Sequence, residues 1–534
     1  MCRTPPYKPP WWLPGALSVL AVVALVGLPL LALVNEASNI ELLDTISDPY
    51  HQRVINFSLY QAVLSTLFSV VLATPLAVAL SREPRFKGRD LLINLFSLSL
   101  VIPTIVAIVG IVSVFGQAGL VNHWLQTLGL PSFSIYGLHG ILLAHVFFNT
   151  PLAARVLLQS LENIPQEQWR LAAQLGLPSN SRWRFIEWPA IRPQLVGIAI
   201  LIFALCFTSF TIVMTLGGGP RATTIEVAIY QALRFDFDIN TAVALALIQL
   251  ALCSLIMIAT HSFGMQTSQG LSEIKLNPST HYSSSHCLNG LIIGIAALFL
   301  ITPLASLVVK AFNPATLTVI AHSKTLSALT NSVVVALTAG ALAVSMGIGL
   351  QLSARHLRLR LNKRSSGKAI QLAGNIILVI PPVVLGTGLF ILLRPFADVF
   401  ALALALVIAI NSLMALPFVL RILEGPVLQA AQRHDRLIQS LGIHGLPRWR
   451  LLDWPHLKKP IGYSMAIAST LAAGDLSAIA LFGSERITTL PLLLYQRMGS
   501  YRHYEALTTA VLLLLLCLAL FFVLQRVIGG KPDA

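Results

Sequence analysis

Long apolar runs recur along the whole chain and limit its fold more than any other feature of the sequence. Each run has about the 20 residues that a helix needs to cross the hydrocarbon core of a bilayer. Only 11% of the residues are charged, against about 25% in soluble domains. Because backbone polar groups inside a membrane must be satisfied within the fold, runs of this length predict transmembrane helices and argue against a barrel. The runs lie near residues 12–34, 59–81, 91–115, 138–160, 195–216, 241–260, 288–309, 329–353, 370–393, 399–422, 461–482 and 506–528.

Basic residues are concentrated in alternate loops between these runs. Lys and Arg near the ends of membrane spans stay on the cytoplasmic side, so this pattern predicts that both termini are cytoplasmic. The loop after the first run is instead acidic, as expected for the outer face. The formal net charge of +15 is thereby explained by topology, and we expect the lipid bilayer, and no nucleic acid, to contact this chain.

The sequence contains an internal duplication. Three motifs of the first half return in the second half at an offset of 266 positions, and six runs in each half place both copies in the membrane in the same sense. We therefore predict an all-α membrane protein of about twelve spans in two parallel six-helix halves, residues 1–261 and 287–534, joined by a polar linker at 262–286. The motifs are Leu175-Gly176, Arg182-Trp183-Arg184 and Trp188-Pro189, which recur as Leu441-Gly442, Arg448-Trp449-Arg450 and Trp454-Pro455.

Each half has one long polar loop, and the duplicated motifs lie in these loops. We call residues 161–193 the first loop and residues 423–460 the second loop. In the first loop, residues 170–175 favour a helix, and Gly176 is expected to end it in a left-handed conformation. Arginine and tryptophan residues follow before the chain turns back into the membrane at Pro189. Such a surface suits a protein partner, and it suits equally a helix resting on anionic lipid headgroups.

A glycine precedes a proline by 13 positions in both loops (189 − 176 and 455 − 442). This spacing resembles the EAA loop of binding-protein-dependent ABC importer permeases, which reads Glu-Ala-Ala, three residues, Gly, nine residues and Ile-x-Leu-Pro. Arg170 and Arg436 depart from the pattern by standing at the Glu position. In this family the loop is a coupling helix that seats in a cleft of a separate ATP-binding subunit. The resemblance therefore predicts ATPase-coupling roles for Ala172, Gly176, Arg182, Trp183, Ile186 and Pro189 in the first loop, and for Gly442, Arg448, Trp449, Leu452 and Pro455 in the second.

Five further segments, which are less widespread among importer permeases than the EAA loop, point to a narrower group within the family. They are HVFFN at 145–149, LENIP at 161–165, GGGPRATTIE at 217–226, AIYQAL at 228–233 and GSYR at 499–502. These segments look like those of the fused permeases of thiamine importers, a resemblance that spans both halves. It implies import of thiamine and its phosphate esters across a bacterial inner membrane, with a periplasmic thiamine-binding protein and two copies of an ABC ATP-binding subunit as partners. Fused ferric-iron permeases share the same plan and remain the alternative.

No Walker A sequence, G-x-x-x-x-G-K-[ST], occurs in the chain. We therefore expect no catalytic residues, and we expect ATP and Mg²⁺ to be used by the partner subunit, with no cofactor bound here. The five cysteines have no paired spacing, and no His, Cys and carboxylate constellation indicates a metal site or a membrane-bound enzyme. An ion-coupled secondary transporter of twelve spans is the alternative from a different class, although it would have no need of two matched loops.

Asp475 is the ionisable residue within a run that we single out. A carboxylate at a helix centre costs about 2.5 to 3.5 kcal/mol on insertion scales, so it should face a partner or a wet cavity. An acidic group there would favour passage of the thiazolium cation of thiamine; alternatively, Asp475 bonds to Ser477 or a neighbouring helix and only fixes packing. The matching residue of the first half is Ser209 (475 − 266), and both are predicted pathway residues.

Overall fold

The computed structural model describes residues 13–37, 42–84, 86–98, 102–262, 286–311, 316–359, 364–441, 443, 445–484 and 487–530. All regular secondary structure in these ranges is helical, which confirms the predicted all-α class. Most of the linker predicted at 262–286 lies outside the described residues, as does Gly442.

The first sequence half contains fourteen described α-helices. Short π-helical turns interrupt them at Val23–Gly27, Trp183–Glu187 and Ala232–Asp236, and a 3₁₀ turn lies at Pro220–Ala222. The helices are α1 (Leu13–Val22), α2 (Leu28–Ala37), α3 (Leu42–Ser47), α4 (Pro49–Arg82), α5 (Arg89–Leu98), α6 (Thr104–Phe115), α7 (Leu120–Thr127), α8 (Leu138–Glu162), α9 (Gln166–Gln174), α10 (Ser179–Arg182), α11 (Trp188–Phe207), α12 (Phe210–Leu216), α13 (Ile225–Gln231) and α14 (Ile239–Ser262).

The second sequence half contains eleven described α-helices. A 3₁₀ turn lies at Ile376–Val379 and a π-helical turn at Trp449–Asp453. The helices are α15 (His286–Ala311), α16 (Thr316–Ala321), α17 (Ser323–Leu359), α18 (Arg364–Asn375), α19 (Pro382–Leu393), α20 (Ala403–Ser440), α21 (Leu446–Arg448), α22 (Trp454–Gly474), α23 (Ser477–Phe482), α24 (Leu490–Gly499) and α25 (His503–Gly529).

Among the described residues, ten helices are long and apolar enough to cross a membrane, and the count is eleven if the pair Ser365–Val379 and Pro382–Leu393, bent by 96°, forms one span. With that pair counted as one span, eleven of the twelve predicted runs have a counterpart. The exception is 461–482, which is divided between α22 and α23. Lys458 and Lys459 lie in the first turns of α22, so this helix is less apolar than a typical span.

Contacts divide the chain into two compact units that differ from the two sequence halves. One unit comprises Met1–Leu42, Ile229–Leu250 and Pro314–Ala534, and the other comprises Leu43–Ala228 and Ala251–Asn313. In the former, α1 packs on α17 and α2 on α19; in the latter, α15 packs on α6 and α4. The first span of each half thus packs within the unit formed mainly by the other half. The boundaries 1–261 and 287–534 describe the sequence repeat and remain a prediction.

A glycine permits the first span of each half to pack closely against a helix of the other half. In one unit, a Cβ atom added to Gly110 of α6 would lie 2.7 Å from the carbonyl oxygen of Pro303 in α15. In the other unit, a Cβ atom added to Gly388 of α19 would lie 2.7 Å from the carbonyl oxygen of Pro29 in α2. Any larger residue at either position would push the two helices apart. The close contact between a glycine and the backbone of a proline therefore occurs once in each unit.

Candidate functional site

The helix of the first loop ends as the sequence predicts. Gly176 has a φ of +62°, a left-handed conformation that a glycine adopts without steric cost. Its N–H donates to the carbonyl of Ala173 at 3.1 Å, and the N–H of Leu177 donates to the carbonyl of Ala172 at 3.0 Å. These two bonds form a Schellman motif, which satisfies carbonyls at the end of α9. The motif turns the chain sharply before α10.

The second loop begins differently from the first. Pro165 precedes α9 and separates it from α8, whereas Ala431 stands at the equivalent position (165 + 266). Alanine favours a helix at this position, and α20, which also accommodates Pro417 and Pro426, runs unbroken to Ser440. The described positive-φ residue of this loop is Gly445, with φ +66°.

Beyond the glycine turn, the two loops converge on one geometry. Each enters its next long helix through a π-helical turn, Trp183–Glu187 in the first loop and Trp449–Asp453 in the second. The ring centroids of Trp183 and Trp188 lie 5.7 Å apart, and those of Trp449 and Trp454 lie 6.2 Å apart. The duplication therefore extends from sequence to side-chain packing.

Large apolar side chains are exposed at equivalent positions of both loops. Leu175 is 65% exposed and Leu441 62%, while Phe185 is 64% exposed and Leu451 69%. Trp188 and Trp454 are also exposed. Repetition at three matched positions distinguishes this set from the scattered apolar residues of any protein surface. We call these six residues the twin apolar surfaces.

The residues predicted from the EAA resemblance are distributed around these surfaces. Ala172 is buried, so it packs inward and presents no surface to a partner. Trp449 packs partly against the buried cluster that includes Leu457 and Ile461. The exposed members of the predicted set are Gly176, Pro189 and Pro455, and its half-buried members are Arg182, Trp183, Ile186, Arg448, Trp449 and Leu452. The twin apolar surfaces were not among the predicted residues, although their equal offset in the repeat could have identified them.

A groove of about 470 Å³ lies beside the first loop. It is lined by the turn between α8 and α9, including Asn163 and Pro165, and by Phe185, Ile186 and Pro189 from the other side of the loop. Its volume is in the range of binding clefts, and exposed Phe185 stands at its wall.

Two buried carboxylates anchor the loops, and neither was among the residues predicted from the sequence. Glu187 and Asp453 are equivalent in the repeat (187 + 266) and are almost fully buried. Glu187 accepts two bonds from Arg82, from Nε at 2.9 Å and from Nη2 at 2.5 Å. Asp453 accepts from Arg355 Nη1 at 2.8 Å and from Arg448 Nε at 3.3 Å. The sequence does contain a signal for this pair of residues, because an acidic residue precedes Trp-Pro in both copies.

The two predicted pathway residues lie at matching helix breaks. Asp475 separates α22 from α23, and its carboxylate accepts the N–H groups of Ser477 at 3.1 Å and Ala478 at 3.0 Å. Ser209 separates α11 from α12 and donates to the carbonyl of Cys206 at 2.8 Å. Asp475 thus caps α23, which is the packing role that the sequence left open, and this bonding does not test a role in transport.

A buried histidine, His145, is hydrogen-bonded to Ser209 at the helix break of the first half. The Nε2 atom of His145 lies 2.8 Å from the hydroxyl of Ser209, and its Nδ1 atom lies 2.7 Å from the hydroxyl of Ser65. A network in which both ring nitrogens have partners is stable in a buried site. His145 is therefore a structural neighbour of Ser209. The described residues contain no group of three or more His, Cys, Asp or Glu that could hold a metal ion.

Comparisons with known proteins agree with this architecture. A family described as binding-protein-dependent transport system inner membrane component matches residues 69–267. The thiamine transport system permease protein of Brucella abortus is 43% identical over 525 residues, covering 97% of this chain and 96% of the relative. The protein of the same name from Escherichia coli is 42% identical over 530 residues, covering 99% of this chain and 98% of the relative, and that from Haemophilus influenzae is 41% identical over 480 residues.

Proposed function

The chain belongs to the family of thiamine transport system permeases, and from this premise we propose that it forms the path by which thiamine crosses the membrane in a binding-protein-dependent importer. It is a multi-span permease subunit of a bacterial transport system. Thiamine phosphate esters are included in the proposed substrate class. The proposed location is the inner membrane, with both termini in the cytoplasm, as the basic loops indicate.

The energy for transport comes from a separate ATP-binding subunit that docks on the loops. The observation that carries this proposal is the pair of twin apolar surfaces, at which Leu175, Phe185 and their counterparts are exposed. Interfaces are enriched in aromatic anchors such as Phe185, Trp188 and Trp454. Because the surface is present twice, two ATPase copies would bind, one to each loop. The permease itself binds no cofactor and hydrolyses no ATP.

A periplasmic thiamine-binding protein delivers the substrate at the opposite face. ATP-driven movement of the two loops then changes the packing of the spans, so that the path opens alternately to each side. The helix breaks at Ser209 and Asp475 are the proposed pathway positions, because discontinuous helices are where transporters place polar groups for a solute.

Reconstitution in vesicles tests this function. The chain would be reconstituted with its ATP-binding subunit and thiamine-binding protein, with ATP inside, and uptake of labelled thiamine would be compared with uptake of ferric iron. We expect thiamine accumulation that requires both partners and ATP. Iron uptake in place of thiamine would make the chain a ferric-iron permease, and thiamine uptake driven by an ion gradient without the ATPase would make it a secondary transporter.

A further inference from the structure

The membrane-facing base of each loop is clamped to a neighbouring long helix by a buried ion pair. Glu187 and Asp453 each occupy the last position of a π-helical turn, immediately before α11 and α22. Their partners come from distant sequence: Arg82 is the last residue of α4, and Arg355 lies in the last two turns of α17. Each pair therefore joins the loop to the end of a second spanning helix.

We propose that Arg82–Glu187 and Arg355–Asp453 are positioning pairs that transmit movement of the docked loops to α4 and α17. This inference rests on the proposed function, since it concerns how the energy of the ATPase reaches the spans. Without the pairs, a loop could move with its own helix, α11 or α22, while α4 or α17 stayed behind. With them, one displacement moves two helices in each copy.

The geometry suits a rigid link. The guanidinium of Arg82 meets both oxygens of Glu187, and a two-pronged contact fixes orientation as well as distance. The side chain of Glu187 is 2% exposed, and that of Asp453 is 4% exposed. Charges buried to this degree remain paired because separating them leaves an uncompensated charge. The link therefore holds while the loop is displaced.

The second copy preserves the link although its residues differ. Aspartate is one methylene shorter than glutamate, and Asp453 receives Arg355 on one oxygen and Arg448 on the other. Arg448 belongs to the loop itself, so the carboxylate ties the loop internally and to α17. Glutamate in one copy and aspartate in the other both join the loop to a second spanning helix. The fold therefore requires the ion pair at this position and not one particular acidic side chain.

The pair Arg497–Glu505 provides a control outside the loops, matched in the burial of its arginine and not of its carboxylate, since Glu505 is 34% exposed. Arg497 of α24 is as buried as Arg355, with 8% of its side chain exposed against 10%, and its Nε atom lies 3.2 Å from Glu505. This pair joins α24 to the first turn of α25 and lies in neither loop. Its loss should weaken packing without breaking the connection to a docked subunit.

The test measures thiamine transported per ATP hydrolysed in vesicles that hold the complete complex. We expect Glu187→Gln and Asp453→Asn to lower this ratio by roughly two- to thirtyfold, the range by which residues along a coupling route act, whereas Glu505→Gln keeps the ratio of the parent. An unchanged ratio in the two loop variants, or an equal loss in Glu505→Gln, would overturn the proposal.

If the neutral variants fail to assemble, Arg82→Lys tests the positioning role instead. Lysine keeps the charge but replaces the planar fork by a single ammonium group, so the complex should assemble while the ratio falls. A parent-like ratio in this variant would overturn the positioning role. Failure of the proposed function is distinguishable, because the parent chain would then transport no thiamine, or would transport it without the ATP-binding subunit.

Discussion

Replacement of Gly110 by alanine directly tests the close packing of α6 against α15, the first span of the other half. The new Cβ atom would lie 2.7 Å from the carbonyl oxygen of Pro303 and 3.1 Å from its carbonyl carbon. Atoms at such distances overlap, and the obstacle is backbone that cannot rotate away, so α6 and α15 must separate. Overpacking of this kind costs about 1 to 3 kcal/mol. We expect Gly110→Ala to lower the thermal stability of the detergent-solubilised chain by a corresponding amount.

Gly294 supplies the control on the same helix, α15. A Cβ atom added there meets nothing within 4 Å, and alanine is up to about 1 kcal/mol better than glycine inside a helix. Gly294→Ala should therefore be neutral or slightly stabilising in the same melting assay, followed by size-exclusion chromatography after heating. Equal melting temperatures for the Gly110 and Gly294 variants would refute the close crossing of α6 and α15. The reciprocal variant Gly388→Ala should behave like Gly110→Ala.

Three further predictions concern the loops and the path. Gly176→Asn should retain more uptake than Gly176→Val, because asparagine tolerates the left-handed conformation and a β-branched residue does not; equal uptake of thiamine in vesicles by the two variants would contradict the Schellman turn. Phe185→Glu should reduce the amount of ATP-binding subunit that co-purifies with the chain, since a carboxylate replaces an apolar contact in the proposed interface, and undiminished co-purification would argue against docking at this surface. Asp475→Asn should slow thiamine uptake while the complex still assembles, because the amide oxygen keeps one of the two N–H bonds that cap α23 but the negative charge is lost; parent-like uptake kinetics would leave Asp475 with its capping role alone.

Local signals in the sequence predicted local structure well. Gly176 was identified as a helix terminator because the residues that decide it lie within one turn, and its Schellman bonds confirm that prediction. The long apolar runs likewise predicted spans, since length and composition alone are decisive. The run 461–482 is helical but is divided between α22 and α23 at Asp475, a break that apolar composition alone does not reveal.

Long-range pairings were outside the reach of the sequence analysis. The partner of Glu187 lies 105 positions away, and nothing in the periodicity of α4 indicates which loop its last arginine meets. The packing of α2 and α15 in the unit of the other half was missed for the same reason, because apolar composition shows that a helix can cross the membrane but not which helix it packs against. The sequence thus identified the loops as the candidate site, while the connection from loop to span became visible only in three dimensions.

Site-specific photo-crosslinking from the twin apolar surfaces tests the central claim most directly. A photoreactive amino acid would replace Phe185 in one variant and Leu451 in another, both exposed positions at the same place of the repeat. Illumination of membranes that contain the whole importer should yield, from each position, an adduct of this chain with the ATP-binding subunit. Adducts with lipid alone from both positions would show that the loops rest on headgroups and would contradict the account.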